Sequence, residues 1–159
     1  LTMLICIALG MGVPCVPAYV VTGVITLPIM AKLGFTGLGP HLFILYYAVI
    51  ASVTPPVAIS AYAAASIAGA NPMESAVMAA RVAFVGFIVP FLFLFNKALL
   101  LLGSWPMILL SVFLAGVVVF SGALGFIGFL REKLTVSNRL LCFTVFAGGI
   151  YLLLMLGKG

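Results

Sequence analysis

Two clusters of helix-breaking residues interrupt an otherwise apolar sequence. The first, residues 10–17, reads Gly-Met-Gly-Val-Pro-Cys-Val-Pro, and the second, residues 52–56, reads Ser-Val-Thr-Pro-Pro. In a bilayer each unpaired backbone polar group costs several kcal/mol, so irregular backbone is tolerated only where protein encloses it or where it lines a watery cavity. Two successive breaks therefore predict a site inside the membrane, if the chain is a membrane protein.

The composition predicts an integral membrane protein. Of 159 residues, 66% are hydrophobic and 6% are charged, and the mean hydropathy is +1.46, far outside the range of soluble domains. The sequence starts at Leu1 inside an apolar run, so we expect it to be the C-terminal piece of a larger protein.

The same composition excludes several classes of function. The basic residues are scattered rather than clustered on one face, so we expect no nucleic-acid partner. Aspartate is absent, and Glu74 and Glu132 are the only acidic residues, which excludes paired-carboxylate chemistry. The three cysteines lack metal-ligand spacing and His41 is the only histidine. We therefore predict that the protein is not an enzyme and has no cofactor.

The first break predicts a re-entrant hairpin over residues 1–33. Residues 1–9 form the end of one apolar arm and residues 18–30 form the other. Thirteen helical residues reach only about 20 Å, against a hydrocarbon core of about 30 Å. We expect both arms to enter and leave by one face, followed by a loop over residues 32–40.

The second break predicts a discontinuous transmembrane helix over residues 41–70. Residues 41–53 and 57–70 are each short, but together they are long enough to cross. Pro55 and Pro56 lack N–H donors and disfavour helical geometry at the preceding residue, so we expect them to unwind the middle of this crossing.

Three continuous helices are predicted after the broken one. Asn71 as N-cap, Pro72 at N1 and Glu74 at N3 start a helix over residues 72–97, and Pro90 should kink it. Residues 106–130 and 140–156 form the last two spans. The predicted fold class is therefore an all-α integral membrane protein.

Positive charge predicts the orientation of these spans. Arg131, Lys133 and Arg139 lie in one short loop, which the positive-inside rule assigns to the cytoplasm. Residues 97–103 and the loop at 32–40 then lie outside, and the hairpin enters the membrane from the outer face.

Oxygen atoms at the two breaks are candidate ligands for a sodium ion. Non-helical backbone exposes carbonyls, and Ser52 and Thr54 add hydroxyls, while half-helix ends contribute dipoles that suit ions. The alternative is that both breaks are kinks filled by packing. Arg81 is a candidate anchor for a substrate carboxylate, and its alternative is a snorkelling or scaffold arginine on the same helix face as Glu74.

Several blocks, taken in order over residues 1–102, resemble the large membrane subunit of TRAP (tripartite ATP-independent periplasmic) transporters, in the fused form that works with TAXI-type binding proteins. These blocks are Gly10-Met11-Gly12-Val13-Pro14, Ala18-Tyr19-Val20, His41-Leu42-Phe43, Thr54-Pro55-Pro56-Val57-Ala58, Ile67-Ala68-Gly69-Ala70-Asn71-Pro72 and Val89-Pro90-Phe91-Leu92-Phe93.

The resemblance implies a Na⁺-coupled permease in a bacterial or archaeal cytoplasmic membrane. A soluble TAXI-type periplasmic protein would deliver a small organic acid to an elevator-type fold of two inverted repeats. Residues 1–102 would hold the second part of the transport core, and residues 103–159 two additional helices. The alternative is a non-transporting membrane scaffold or assembly subunit.

The resemblance also implies which residues form the ion site. Gly10, Gly12 and Pro14 at the hairpin tip would meet Thr54, Pro55 and Pro56 around one sodium ion. The chain departs from the family pattern in two places: relatives often have small hydroxyl residues where this chain has Cys15, Val16 and Pro17, and often an aspartate where it has Ser52. Coordination must then depend mostly on backbone carbonyls.

Overall fold

The computed structural model describes residues 1–129 and 135–157, and this part of the chain contains helices and no β-strand. The helices are α1 (Thr2–Gly10), α2 (Cys15–Lys32), α3 (Leu38–Ile50), α4 (Ile59–Ala68), α5 (Pro72–Ala83), α6 (Val89–Phe95), α7 (Trp105–Ile127) and α8 (Val136–Leu156), with short 3₁₀ helices at Ala51–Val53, Phe84–Phe87 and Lys97–Leu100. The chain divides into two compact units, Leu1–Ala83 and Phe84–Gly159.

The prediction of an all-α, multi-pass membrane protein is confirmed. Within the described residues, four helical stretches are long and apolar enough to cross a membrane: Cys15–Lys32, Pro72–Phe95, Trp105–Ile127 and Val136–Leu156. The apolar helices on either side of the second break, Leu38–Val53 and Ile59–Ala68, are shorter.

In the first unit, helices α1, α2 and α3 pack against one another around Cys6, Phe43, Ile44 and Tyr47, all of which are buried. The only fully buried hydroxyl groups described in α2 donate hydrogen bonds back along their own helix, Thr22 to Ala18 O and Thr26 to Thr22 O, each at 2.7 Å. These bonds remove the cost of burying a polar group in an apolar core. Helix α4 packs on α5 through alanines, whose small side chains allow close approach.

The first break lies where the sequence places it, but the second arm is longer than predicted. Helix α1 ends at Gly10 and α2 starts at Cys15, three residues before the predicted start at residue 18. Pro17 is tolerated because it lies in the first helical turn, where the N–H has no partner to lose. With 18 residues, α2 is a candidate membrane span in its own right. The argument that neither arm can cross alone is therefore wrong for α2, and the re-entrant hairpin stays a prediction.

The second break also lies where it was predicted. Helix α3 ends at Ile50, one 3₁₀ turn follows, and regular helix resumes only at Ile59. The Pro55–Pro56 peptide bond is cis, and Ala58 has a left-handed backbone with φ of 32°. Helix α3 starts at Leu38 rather than residue 41 because Pro40 fits within the first turn.

The start of α5 lies where the sequence predicts it. Asn71 Oδ1 accepts hydrogen bonds from the backbone N–H groups of Met73 at 3.0 Å and Glu74 at 3.3 Å, as expected for an N-cap. The span predicted over 72–97 corresponds to the candidate membrane span Pro72–Phe95, in which a 3₁₀ helix at Phe84–Phe87 separates α5 from α6. Pro90 has no N–H to donate to the carbonyl four residues earlier. The hydrogen-bond pattern of the helix therefore changes from α to 3₁₀ one turn before the proline.

In the second unit, α7 and α8 form the main helix pair. Gly122 and Gly149 allow these two helices to approach closely. A Cβ on Gly122 would lie 2.7 Å from the Phe146 ring, and a Cβ on Gly149 would overlap Val118. The Arg139 guanidinium donates two hydrogen bonds, at 3.2 and 3.1 Å, to Gly125 O near the end of α7. The other two charges used to predict a cytoplasmic loop, Arg131 and Lys133, lie outside the described residues.

Candidate functional site

The tip between α1 and α2 is a short irregular segment with part of its backbone unpaired. Met11 N donates to Ile7 O at 3.1 Å, Val13 N to Gly10 O at 3.5 Å, and Ala18 N to Pro14 O at 3.0 Å. Gly12 has φ of +77°, a left-handed conformation that residues with a side chain rarely adopt. Among the described residues, the carbonyls of Met11, Gly12 and Val13 accept no backbone hydrogen bond.

The break after α3 is held in shape by side chains as well as backbone. Ser52 Oγ donates to Val49 O at 2.7 Å and Thr54 Oγ1 donates to Ile50 O at 2.8 Å. Ala58 N donates to Thr54 O at 3.1 Å, which closes the turn over the two prolines. Because each hydroxyl uses its proton on a helix carbonyl, its lone pairs remain available to accept or to ligate.

The structure brings the tip and the break together. A Cβ on Gly10 would lie 3.1 Å from Ala51 Cβ and 3.4 Å from Ala48 Cα, and a Cβ on Gly12 would lie 3.4 Å from Val57 Cγ1. Two tip glycines thus contact residues on either side of the segment Ser52–Pro56. These contacts are with Ala48, Ala51 and Val57; a meeting of Gly10, Gly12 and Pro14 with Thr54, Pro55 and Pro56 around a sodium ion stays a prediction.

The chemistry of the two segments suits a small cation. Residues 10–17 and 51–58 contain no ionisable side chain apart from Cys15, and their oxygen atoms are backbone carbonyls and the hydroxyls of Ser52 and Thr54. Pro14, Pro55 and Pro56 lack N–H groups, which leaves acceptors in excess of donors. Within the described residues no group of three or more His, Cys, Asp or Glu could hold a metal ion.

Arg81 lines a cavity that contains no residue of the two breaks. It faces a shallow cavity of about 310 Å³ on α5 together with Met73, Glu74, Val77 and Met78. This placement agrees with the prediction that Arg81 and Glu74 share one helix face. Its role as a substrate anchor stays a prediction.

Two tyrosines make contacts that the sequence did not reveal. The Tyr62 hydroxyl donates a hydrogen bond to Pro56 O, so α4 contacts the far side of the break. The Tyr19 hydroxyl lies 2.8 Å from His41 Nδ1 and links α2 to the first turn of α3. No local signal in the sequence distinguishes these two tyrosines from tyrosines that only pack helices.

The chain matches a known protein family. The family described as "Tripartite ATP-independent periplasmic transporter, DctM component" matches residues 1–108, which is more than half of the sequence and includes both breaks. No curated protein and no solved structure matches the chain.

Proposed function

Because the chain belongs to the DctM component family of TRAP transporters, we propose that it forms part of a Na⁺-coupled permease that imports small organic acids. Membership makes it a component of a membrane transporter with a periplasmic binding-protein partner, located in the cytoplasmic membrane as a multi-pass protein. The DctM family is a family of transporters and not of enzymes.

The observation that supports coupling to Na⁺ is the contact between the tip and the break. Gly10 and Gly12 lie against residues 48–57, and both segments carry oxygen atoms without a compensating positive charge. Half-helix ends and unwound carbonyls are the typical ligands of coupling ions in discontinuous membrane helices.

We assign the sodium ligands mainly to backbone oxygens. The carbonyls of Met11, Gly12 and Val13 are available on the tip, since no described backbone donor reaches them. Thr54 Oγ1 and Ser52 Oγ can add lone pairs from the break, because their protons are directed to helix carbonyls. A carboxylate at position 52 would bind the ion more strongly than the Ser52 hydroxyl, because it adds a negative charge.

The finer family assignment is also a proposal. The TAXI-type binding protein and the fused form are supported by the order of the sequence blocks. The family match ends at residue 108, shortly after α7 begins, which agrees with α7 and α8 as additional helices.

Uptake by the intact protein in membrane vesicles tests the function. We expect accumulation of an organic acid to require both a Na⁺ gradient and the binding protein, and to disappear when either is removed. Uptake that persists without Na⁺ would overturn the coupling.

The scaffold alternative makes a different prediction for Ser52→Asp. If the site binds Na⁺, the added carboxylate lowers the Na⁺ concentration needed for half-maximal uptake, because it adds a charged ligand. If the breaks are only kinks, the variant changes stability or expression and leaves the Na⁺ dependence as it was.

A further inference from the structure

A polar cavity of about 510 Å³ lies within the second unit, far along the chain from the two breaks. Asn96 and Lys97 line it from the segment after α6, Ser104 from the start of α7, and Gly157 from the end of α8. None of these residues belongs to the proposed sodium site.

The cavity presents hydrogen-bond donors and one positive charge. Lys97 is exposed at its wall. Ser104 is the N-cap of α7, yet its hydroxyl makes no capping hydrogen bond, so both the hydroxyl and first-turn N–H groups remain available. Asn96 is already satisfied, because its amide donates to Ser111 Oγ at 3.3 Å and to Leu153 O at 3.1 Å. Among the described lining residues Lys97 carries the one charge and there is no carboxylate, so a negatively charged group can approach Lys97 without facing an acidic side chain.

Two neighbouring features indicate the depth of this cavity in the membrane. Trp105, the first residue of α7, is 76% exposed, as is typical of tryptophan at the level of lipid headgroups. A second cavity, of about 300 Å³, is apolar and is lined by Phe95, Tyr151, Leu154 and Met155. Phe95 and Met155 directly precede Asn96 and Leu156, which line the polar cavity.

We propose that the two cavities bind one anionic glycerophospholipid of the bilayer. Its phosphate lies at Lys97 and Ser104, and one acyl chain lies against Tyr151 and Leu154. A cation and free donors at headgroup level beside an apolar cavity match the two chemical parts of such a lipid.

Lipid titration of the purified intact protein, followed by native mass spectrometry, tests this site. We expect phosphatidylglycerol to bind more tightly than phosphatidylcholine. Lys97→Gln should weaken phosphatidylglycerol binding about fivefold, the factor expected for losing one lysine near an anionic lipid. Lys32→Gln, which removes the single lysine at the end of α2, is the matched control and should leave the affinity unchanged.

A second variant and a competition with inorganic phosphate complete the test. Ser104→Ala removes no capping hydrogen bond, so it should fold and weaken binding about twofold. The proposal is overturned if neither variant changes the affinity, if Lys32→Gln causes an equal loss, or if phosphatidylcholine binds as well. Displacement of phosphatidylglycerol by excess inorganic phosphate would show that the cavity takes free phosphate, which also overturns it.

Discussion

At the scale of single residues, Gly12 carries the strongest constraint in the proposed site. Its φ of +77° is unfavourable for any residue with a Cβ, and a Cβ there would lie 3.4 Å from Val57 Cγ1. The contact distance is ordinary, so the conformation rather than the available space requires glycine. Gly12 thereby lets the tip backbone turn while it remains against the break.

We predict that Gly12→Ala destabilises the protein by about 1–2 kcal/mol, the usual cost of a left-handed alanine. Gly116→Ala is the matched control, because it lies within α7 and its added Cβ meets no atom within 4 Å. That control should be neutral or stabilise by up to about 1 kcal/mol. Thermal unfolding of the purified variants gives the comparison, and equal midpoints for the two would contradict the account of Gly12.

The second prediction at the scale of single residues concerns the hydrogen bonds of Asn96. Its side chain links three parts of the second unit, since it bonds Ser111 in α7, Leu153 O in α8 and Ala98 N in the following 3₁₀ helix. We expect Asn96→Leu to cost about 2 kcal/mol through lost and unpaired hydrogen bonds. Asn71→Ala removes only an N-cap and should cost about 1 kcal/mol. A lower unfolding midpoint for Asn71→Ala than for Asn96→Leu would be inconsistent with this role.

At the scale of elements, the sequence predicted where helices break better than how long they are. Glycine and proline clusters located both breaks, and Asn71 located the start of α5, because each acts through its own backbone or side chain. Helix starts at Cys15, Leu38 and Val136 were missed by three or four residues. Proline in a first turn costs nothing, and no local signal separates that case from a proline that ends a helix.

The candidate site was predictable only in part, because local sequence signals do not determine which segments pack together. The residue types at each break followed from the sequence, whereas the contact of Gly10 with Ala48 and Ala51 depends on tertiary packing. The hydrogen bond from Tyr62 to Pro56 O likewise follows from the path of the chain after the break.

The topology of α1 and α2 is an element-scale prediction that helix length does not decide. Because α2 has 18 residues, it could either cross the membrane or return beside α1. We predict a re-entrant hairpin, so single cysteines at Leu1→Cys and Thr36→Cys, each in a background without Cys6, Cys15 and Cys142, should react with an impermeant maleimide from the same, outer side. Labelling from opposite sides would establish that α2 crosses alone.

At the scale of the whole molecule, the orientation rests on the charges around the segment between α7 and α8. We predict that Ser104→Cys labels in intact cells and that Ser137→Cys labels only after the membrane is permeabilised, because the 23 residues of α7 separate them by about 35 Å. The reverse pattern would place the start of α7 in the cytoplasm and contradict the predicted orientation.

The central claim is that the tip and the break form one sodium site built mainly from uncharged oxygens. A Na⁺ titration of uptake by the intact transporter, comparing Thr54→Ala with Thr144→Ala, tests it most directly. Both threonines donate to a carbonyl of the preceding turn, Thr54 to Ile50 O and Thr144 to Leu141 O, each at 2.8 Å, but only Thr54 lies at the break. We predict that Thr54→Ala raises the Na⁺ concentration for half-maximal uptake about fivefold, which corresponds to about 1 kcal/mol of lost ligation, and that Thr144→Ala leaves it unchanged. An unchanged Na⁺ requirement in both variants would contradict the account.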